Sequence, residues 1–144
     1  MDGAKDGVIF FSFGSNAKTT FLPEEKIKVI LKVFSRLKQR IIMKWESDTM
    51  EGKPDNVLIG KWLPQDALLA HKNIELFISH CGLGSTVESK YHAVPILAVP
   101  LFADQNANAD VVIGEGWGVK VDFATMTEES LSEGIKEVLG NPKY

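Results

Sequence analysis

With 144 residues, a net charge of −3 and a pI near 5.6, the chain fits one domain with one core and shows no basic stripe suited to nucleic acid or an anionic membrane surface. Its single cysteine, Cys81, excludes an internal disulfide and a thiolate metal cluster, and so says nothing about redox compartment. The opening Met1-Asp2-Gly3-Ala4-Lys5-Asp6 is polar and unlike a secretory leader, and no apolar run approaches the ~18 residues of a membrane helix, so the chain as it stands is expected to be soluble.

Val8-Ile9-Phe10-Phe11 reads as a strand buried on both faces, ended by the turn Ser12-Phe13-Gly14-Ser15-Asn16. Ser15 is then either a donor to a ligand or part of an ordinary strand-ending turn. Pro23-Glu24-Glu25 suits the first turn of a helix, and Ile27, Ile30, Leu31, Phe34 and Leu37 recur at helical spacing to about Lys38. Ile41 to Trp45 is the second strand, Glu46 to Asn56 a polar loop, and Val57 to Ile59 the third strand. Lys61-Trp62-Leu63-Pro64-Gln65 follows as a loop. Its tryptophan either offers a flat face to a base, worth ~1–3 kcal/mol, or is buried as core. Asp66 to His71 is a short helix whose histidine is expected to be exposed.

The stretch Glu75 to Gln105 organises the rest. The apolar run Leu76-Phe77-Ile78 ends in Ser79-His80 and the turn Cys81-Gly82-Leu83-Gly84-Ser85, and a helix from Thr86 to His92 follows at once. Unpaired N–H groups at such a helix start make a phosphate site, so an anion of the nucleotide-phosphate kind is expected between His80 and Ser85. Cys81 itself reads as a small residue packed beside the turn. The strand Pro95 to Pro100 then carries Asp104 and Gln105 to the same sheet edge, where open α/β sheets bind ligands. Asp104 and Gln105 offer an acceptor and an amide for sugar hydroxyls, or else an N-cap and a solvated helix start for the helix from Asp104 to about Gly114. Trp117 to Val121 is a last strand, and Thr127-Glu128-Glu129 caps a final helix with Leu131, Ile135, Val138 and Leu139 on its apolar face. Alternating strands and helices predict a doubly wound parallel sheet.

Four motifs in this order carry a resemblance: Trp62-Leu63-Pro64-Gln65, the run H-C-G-x-x-S-x-x-E from His80 to Glu88, the strand between Pro95 and Pro100, and Pro100-Leu101-Phe102-Ala103-Asp104-Gln105. Together they resemble the donor-binding signature of the UDP-glycosyltransferases, which include animal UDP-glucuronosyltransferases and plant glucosyltransferases. Phe11-Ser12-Phe13-Gly14-Ser15 and Asp122-Phe123-Ala124-Thr125-Met126 extend it over nearly the whole chain and read as the animal branch.

The resemblance implies an α/β, Rossmann-like domain forming the C-terminal half of a GT-B glycosyltransferase. Residues 1–144 would be a single UDP-sugar-binding domain, with an N-terminal acceptor domain and a membrane anchor lying outside it. The parent would sit in the endoplasmic reticulum membrane, facing the lumen, and transfer a hexose with inversion to small lipophilic acceptors, a detoxifying chemistry. Its catalytic base, a histidine supported by an aspartate, belongs to the other half. The isolated domain is therefore expected to bind UDP without turnover.

By the same resemblance Trp62 stacks on uracil, the Leu63 backbone reads the uracil edge, and Gln65 and Glu88 lie at the ribose. His80, Gly82, Gly84, Ser85 and Ser15 serve the diphosphate, and Asp104 and Gln105 the sugar. His80 otherwise reads as a satisfied turn histidine, and Ser85-Thr86-Val87-Glu88 also matches a capping box, in which Glu88 serves only the helix. The chain departs from the animal pattern at Cys81, usually glycine, and at Gly84, often asparagine.

No cofactor beyond the donor is expected. The absence of a D-x-D pair and the wide separation of the three histidines leave a metal unsupported. UDP-glucose is favoured over UDP-glucuronate, since no Lys or Arg stands beside Asp104-Gln105 to pair a sugar carboxylate. A module that binds a UDP-sugar without transferring it is the alternative. A dinucleotide-binding oxidoreductase is disfavoured because no G-x-G-x-x-G follows the first strand.

Overall fold

The computed structural model describes residues 6–13, 22–47, 49–101 and 103–141, apart from the side chains of residues 103 and 104. Strands β1 (Val8–Ser12), β2 (Arg40–Lys44), β3 (Val57–Gly60), β4 (Ile74–Ser79), β5 (Ile96–Ala98) and β6 (Gly118–Lys120) form one sheet in the order β3-β2-β1-β4-β5-β6, every neighbouring pair parallel. The helices are α1 (Glu24–Ser35), α2 (Gln65–Ala70), α3 (Leu83–Tyr91), α4 (Ala103–Glu115) and α5 (Glu128–Gly140). This is the expected doubly wound sheet, with the strand order of a Rossmann fold.

Side-chain alternation along β1 divides the core into two layers. Ile9, Phe11 and Phe13 pack with Ile30, Leu31, Val33 and Phe34 of α1 and with Leu131, Ile135 and Val138 of α5. Val8 and Phe10 face the other way, onto Phe77, Leu69 of α2 and Ala109 and Val112 of α4. With helices on both faces a strand has no solvent side, which is why β1 reads as an unbroken apolar run. Its five residues are all buried.

The strand order reverses between β1 and β4. From β1 the chain builds outward through β2 and β3, then returns to lay β4 on the other side of β1 and builds outward again. Ser12 and Ser79 are paired in register as the last residues of the two strands, so the loops that leave them diverge from one point. A crevice for a ligand forms at such a point.

Several boundaries differ from those expected, for identifiable reasons. α1 stops at Ser35 rather than near Lys38 because the Asn56 amide donates to the carbonyls of Phe34, Leu37 and Gln39 at 2.8, 3.1 and 3.1 Å, satisfying the chain as it turns away. Pro23 is the N-cap of α1, in extended backbone, and not its first helical residue. β2 starts and ends one residue earlier than Ile41 to Trp45, and Trp45 instead fixes the β2–β3 loop by donating its indole N–H to the Thr49 carbonyl at 2.9 Å. β5 and β6 are shorter than drawn from sequence. His71 is half-buried, its Nδ1 accepting from the Asn73 amide at 3.1 Å. α5 starts as expected on Thr127, whose hydroxyl accepts from the Ser130 amide, with the Ser130 side chain answering to the Thr127 amide.

One asparagine thus closes the α1 terminus from a sequence distance of about twenty residues. Replacing Asn56 with alanine is expected to lower the unfolding free energy by about 1–3 kcal/mol, the cost of carbonyls left without a donor. Urea denaturation checks this, and a loss well under 1 kcal/mol would show that water replaces the amide.

Candidate functional site: the edge where the strand order reverses

At the carboxyl end of β4 the backbone must turn from strand to helix within three residues, His80, Cys81 and Gly82. It does so by placing Cys81 in the left-handed region, at φ 66°. A side chain there costs about 1–2 kcal/mol relative to glycine, so other contacts must hold the turn. The Cys81 amide donates to Ser79 Oγ at 3.0 Å, and the Cys81 carbonyl accepts from Asn108 Nδ2 at 2.9 Å. Thr86 Oγ1 donates to the Gly82 carbonyl at 2.9 Å. The cysteine is fully buried, as a small packed residue should be.

Gly82 follows as the N-cap of α3 in extended backbone, with no side-chain cap. A Cβ at position 82 would stand 2.6 Å from Nε2 of His80, so the glycine is what lets the imidazole lie against the turn. His80 is buried, with Phe13 beyond it at 6.5 Å between ring centroids. Position 84 has open space where a Cβ would project.

These contacts correct the expected helix start. α3 begins at Leu83, not at Thr86, and Ser85 is its third residue rather than its cap. The first amide to reach back is that of Thr86, to the Gly82 carbonyl at 3.0 Å, so the amides of Leu83, Gly84 and Ser85 precede the intrahelical ladder and point out of the helix end. The capping-box reading of Ser85 and Glu88 falls with this shift. Gln65, the first residue of α2, reaches across to both of them, its Nε2 lying 3.1 Å from Ser85 Oγ and 3.2 Å from Glu88 Oε2. Two residues expected at a ribose and one expected at a diphosphate are therefore joined by one amide.

Trp62 lies in the loop between β3 and α2 and is 80% exposed, which removes the core reading of this side chain. Leu63 turns its side chain back onto Gly60, where a Cβ would meet Leu63 Cδ2 at 2.6 Å. Gln105 is buried on α4, and its Oε1 accepts from the Leu101 amide at 2.8 Å, so the oxygen expected to meet a sugar fixes the β5–α4 turn. Asp104 falls in the first turn of α4, one residue inside its start and hence not at the N-cap; its side chain lies outside the described residues, as does Ser15. A cavity of about 630 Å³ between α1 and the β2–β3 loop, lined by Leu31, Trp45 and Met50 among others, includes none of the residues expected at the site.

Sequence reasoning missed Asn108, Ser79 and Thr86, which hold the turn. Asn108 was detectable in principle, three residues after Gln105 and so on the same side of α4, but nothing in the sequence says that it meets a carbonyl 27 positions earlier.

Burial pushes the Cys81 thiol up from its ordinary value of 9.0 to about 11, with a hydrogen bond to the Thr86 side chain pulling the other way. The folded value lies above the unfolded one, so this contribution to stability is complete below pH 9 and is lost as pH rises toward 11, where the unfolded chain ionises and the fold does not. Between about pH 8 and pH 11 the unfolding free energy of Cys81→Gly is expected to gain on that of the parent by on the order of 2 kcal/mol. Parallel denaturation series across that range test it, and a difference that does not change with pH would contradict it.

Comparison with known proteins places the chain. The sequence profile of the family described as "UDP-glucoronosyl and UDP-glucosyl transferase" matches residues 2–144. UDP-glycosyltransferase UGT5 of Dactylopius coccus is 38% identical over 138 residues, which is 96% of this chain and 26% of the relative. The chain thus spans about a quarter of the length of the curated relatives it matches. Among solved structures, Os79 from O. sativa in complex with UDP superposes with a TM-score of 0.81 at 26% identity, over 95% of this chain and 33% of that one. UGT71G1 of Medicago truncatula, complexed with UDP-glucose, superposes with a TM-score of 0.80 at 27% identity, over 92% and 32%. The signature motifs, the reversal-point geometry and these matches agree: the chain belongs to the UDP-glucuronosyl and UDP-glucosyl transferase family.

Proposed function

We propose that this chain is the donor-binding domain of an inverting UDP-glycosyltransferase. The observation that carries the reading is the meeting of Trp62, the Gln65–Ser85–Glu88 network and the start of α3 along one edge of the sheet. On this reading the uracil stacks on the exposed face of Trp62 and the Leu63 backbone reads its edge. The ribose hydroxyls lie toward Gln65 and Glu88, and the diphosphate meets the Leu83, Gly84 and Ser85 amides beside His80. Ser15, Asp104 and Gln105 complete the site toward the diphosphate and the sugar. Relatives solved with UDP and with UDP-glucose support this class of ligand.

The chemistry follows from the leaving group. Displacement at the anomeric carbon passes through an oxocarbenium-like transition state, and the departing diphosphate gains negative charge. Amides fixed at a helix start are already aimed at that charge and need no reorganisation when it develops. On this reading the device takes the place of a metal. The deprotonating base and the pocket for a small lipophilic hydroxyl compound belong to an N-terminal domain of the parent, and glucose is the favoured sugar. We assign the parent to the endoplasmic reticulum membrane, with this domain in the lumen. Among the described residues no helix is long and apolar enough to cross a membrane.

The domain alone is expected to bind UDP and to transfer nothing. Calorimetric titration should show UDP binding that weakens by about 1–3 kcal/mol in Trp62→Ala, with the melting temperature held, because the ring is exposed in the free protein. Loss of stability with unchanged affinity would overturn the stacking role, and conjugate formation from UDP-glucose and phenols would overturn the division of labour between domains. Glu88→Gln keeps the shape but cannot give a diol two charged acceptors. It should lower UDP affinity about tenfold at near-normal melting. Unchanged affinity would remove Glu88 from the ribose site.

A further inference from the structure

We infer that Asn108 is a positioning residue for the diphosphate seat: through the Cys81 carbonyl it fixes the orientation of the Cys81–Gly82 peptide and, with it, the direction of the amides that begin α3. The inference rests on the reading of that helix start as the diphosphate seat, and it assigns the residue that gives the seat its shape.

The turn is held by the three hydrogen bonds already described, and they differ in origin. Thr86 acts from α3 itself, four residues from the carbonyl it binds, and would travel with the turn if it moved, whereas Ser79 is fixed in β4 by its pairing with Ser12 but holds only the Cys81 amide and leaves the Cys81 carbonyl side unheld. Asn108 acts from α4, 27 residues away. That helix is anchored to the body of the protein, since Ala109 and Val112 are fully buried and Gln105 is bonded to the Leu101 amide. Among the hydrogen bonds described at this turn, the Asn108 contact is therefore the one that ties the Cys81 carbonyl, and with it the Cys81–Gly82 peptide, to a separate element of the fold.

The contact also falls on the strained residue. At φ 66° Cys81 has an incentive to relax toward ordinary backbone angles, and relaxation would rotate the following peptide. A donor at 2.9 Å on the Cys81 carbonyl opposes that rotation directly. The same helix carries Asp104 and Gln105 in its first turn, so Asn108 also sets the spacing between the diphosphate seat and the groups assigned to the sugar.

The single cysteine allows the turn to be read without a ligand. In Asn108→Ala the buried Cys81 thiol should react with iodoacetamide about tenfold faster, while the melting temperature stays close to that of the parent, because a local opening exposes it. UDP affinity should fall about tenfold, whereas uridine, which lacks the diphosphate, should change less than twofold. Asn108→Ser, which keeps a shorter donor, should fall between the two and serves if the alanine variant folds poorly. Adding Cys81→Gly to Asn108→Ala should restore most of the UDP affinity, since glycine holds φ 66° without strain.

Equal losses for UDP and uridine, or no gain in iodoacetamide reactivity, would overturn the inference. If the unaltered chain bound no UDP the donor-domain reading would fail, and Cys81 reactivity in Asn108→Ala would still decide whether Asn108 holds the turn.

Discussion

A strand buried on both faces cannot hand its chain to a helix on the sheet's surface without a sharp reversal, and in this fold the reversal at the end of β4 is compressed into His80, Cys81 and Gly82. Whatever α3 presents at this edge depends on that turn. It sets where α3 begins, and so which amides escape the intrahelical ladder. It also brings His80 against Gly82, where a Cβ at position 82 would come within 2.6 Å of the ring. Backbone strain at Cys81 is tolerated because both sides of the residue are hydrogen-bonded, to Ser79 on one side and Asn108 on the other.

Magnitudes indicate how affinity is divided on the proposed reading. A helix start contributes about 0.3–1 kcal/mol toward an anion at an exposed site, up to ~2 where partly buried. A stacked base contributes ~1–3 kcal/mol, and a hydrogen bond to a charged group ~1.5–3 kcal/mol. No single contact dominates, so discrimination rests on all three being presented at the correct spacing. Gln65 meets that need from the protein side: it stands at the start of α2, immediately after the Trp62 loop, and bonds both Ser85 and Glu88 of α3. The base platform and the diphosphate seat are thereby held to one another by an amide that belongs to the site itself.

The fold class was legible because a parallel sheet covered on both faces demands uninterrupted apolar strands, and Val8 to Phe11 and Leu76 to Ile78 supply them. The family was legible because its signature is local, each motif lying within a few residues of a strand end. Helix boundaries were less so, and α3 shows why. The run Ser85-Thr86-Val87-Glu88 satisfies a capping pattern, yet the helix starts three residues earlier, since Gly82 needs no side chain to end the turn once Cys81 has taken the left-handed conformation. The end of α1 was misplaced for a related reason, the determining group being the amide of Asn56, far along the chain. Periodicity reports what a helix buries, but its ends are set by whichever group reaches the terminal carbonyls or amides, and those partners are often remote in sequence.

The exposure of the site carries a further consequence for catalysis on this reading. Trp62 is 80% exposed, and Leu83, Val87 and Tyr91 recur every fourth residue along α3 at 69%, 58% and 82%. A diphosphate lying here would have protein on one side and water on the other, and in water-like surroundings a fixed dipole acts weakly on a charge. The same amides act far more strongly once solvent is displaced, so stabilisation of the departing UDP must come mainly from a state in which a second wall covers the edge. Binding and catalysis then separate physically. On the proposed reading the nucleotide would be recognised by contacts present in this domain alone, whereas the charge that develops on its diphosphate would be stabilised by those contacts mainly after closure.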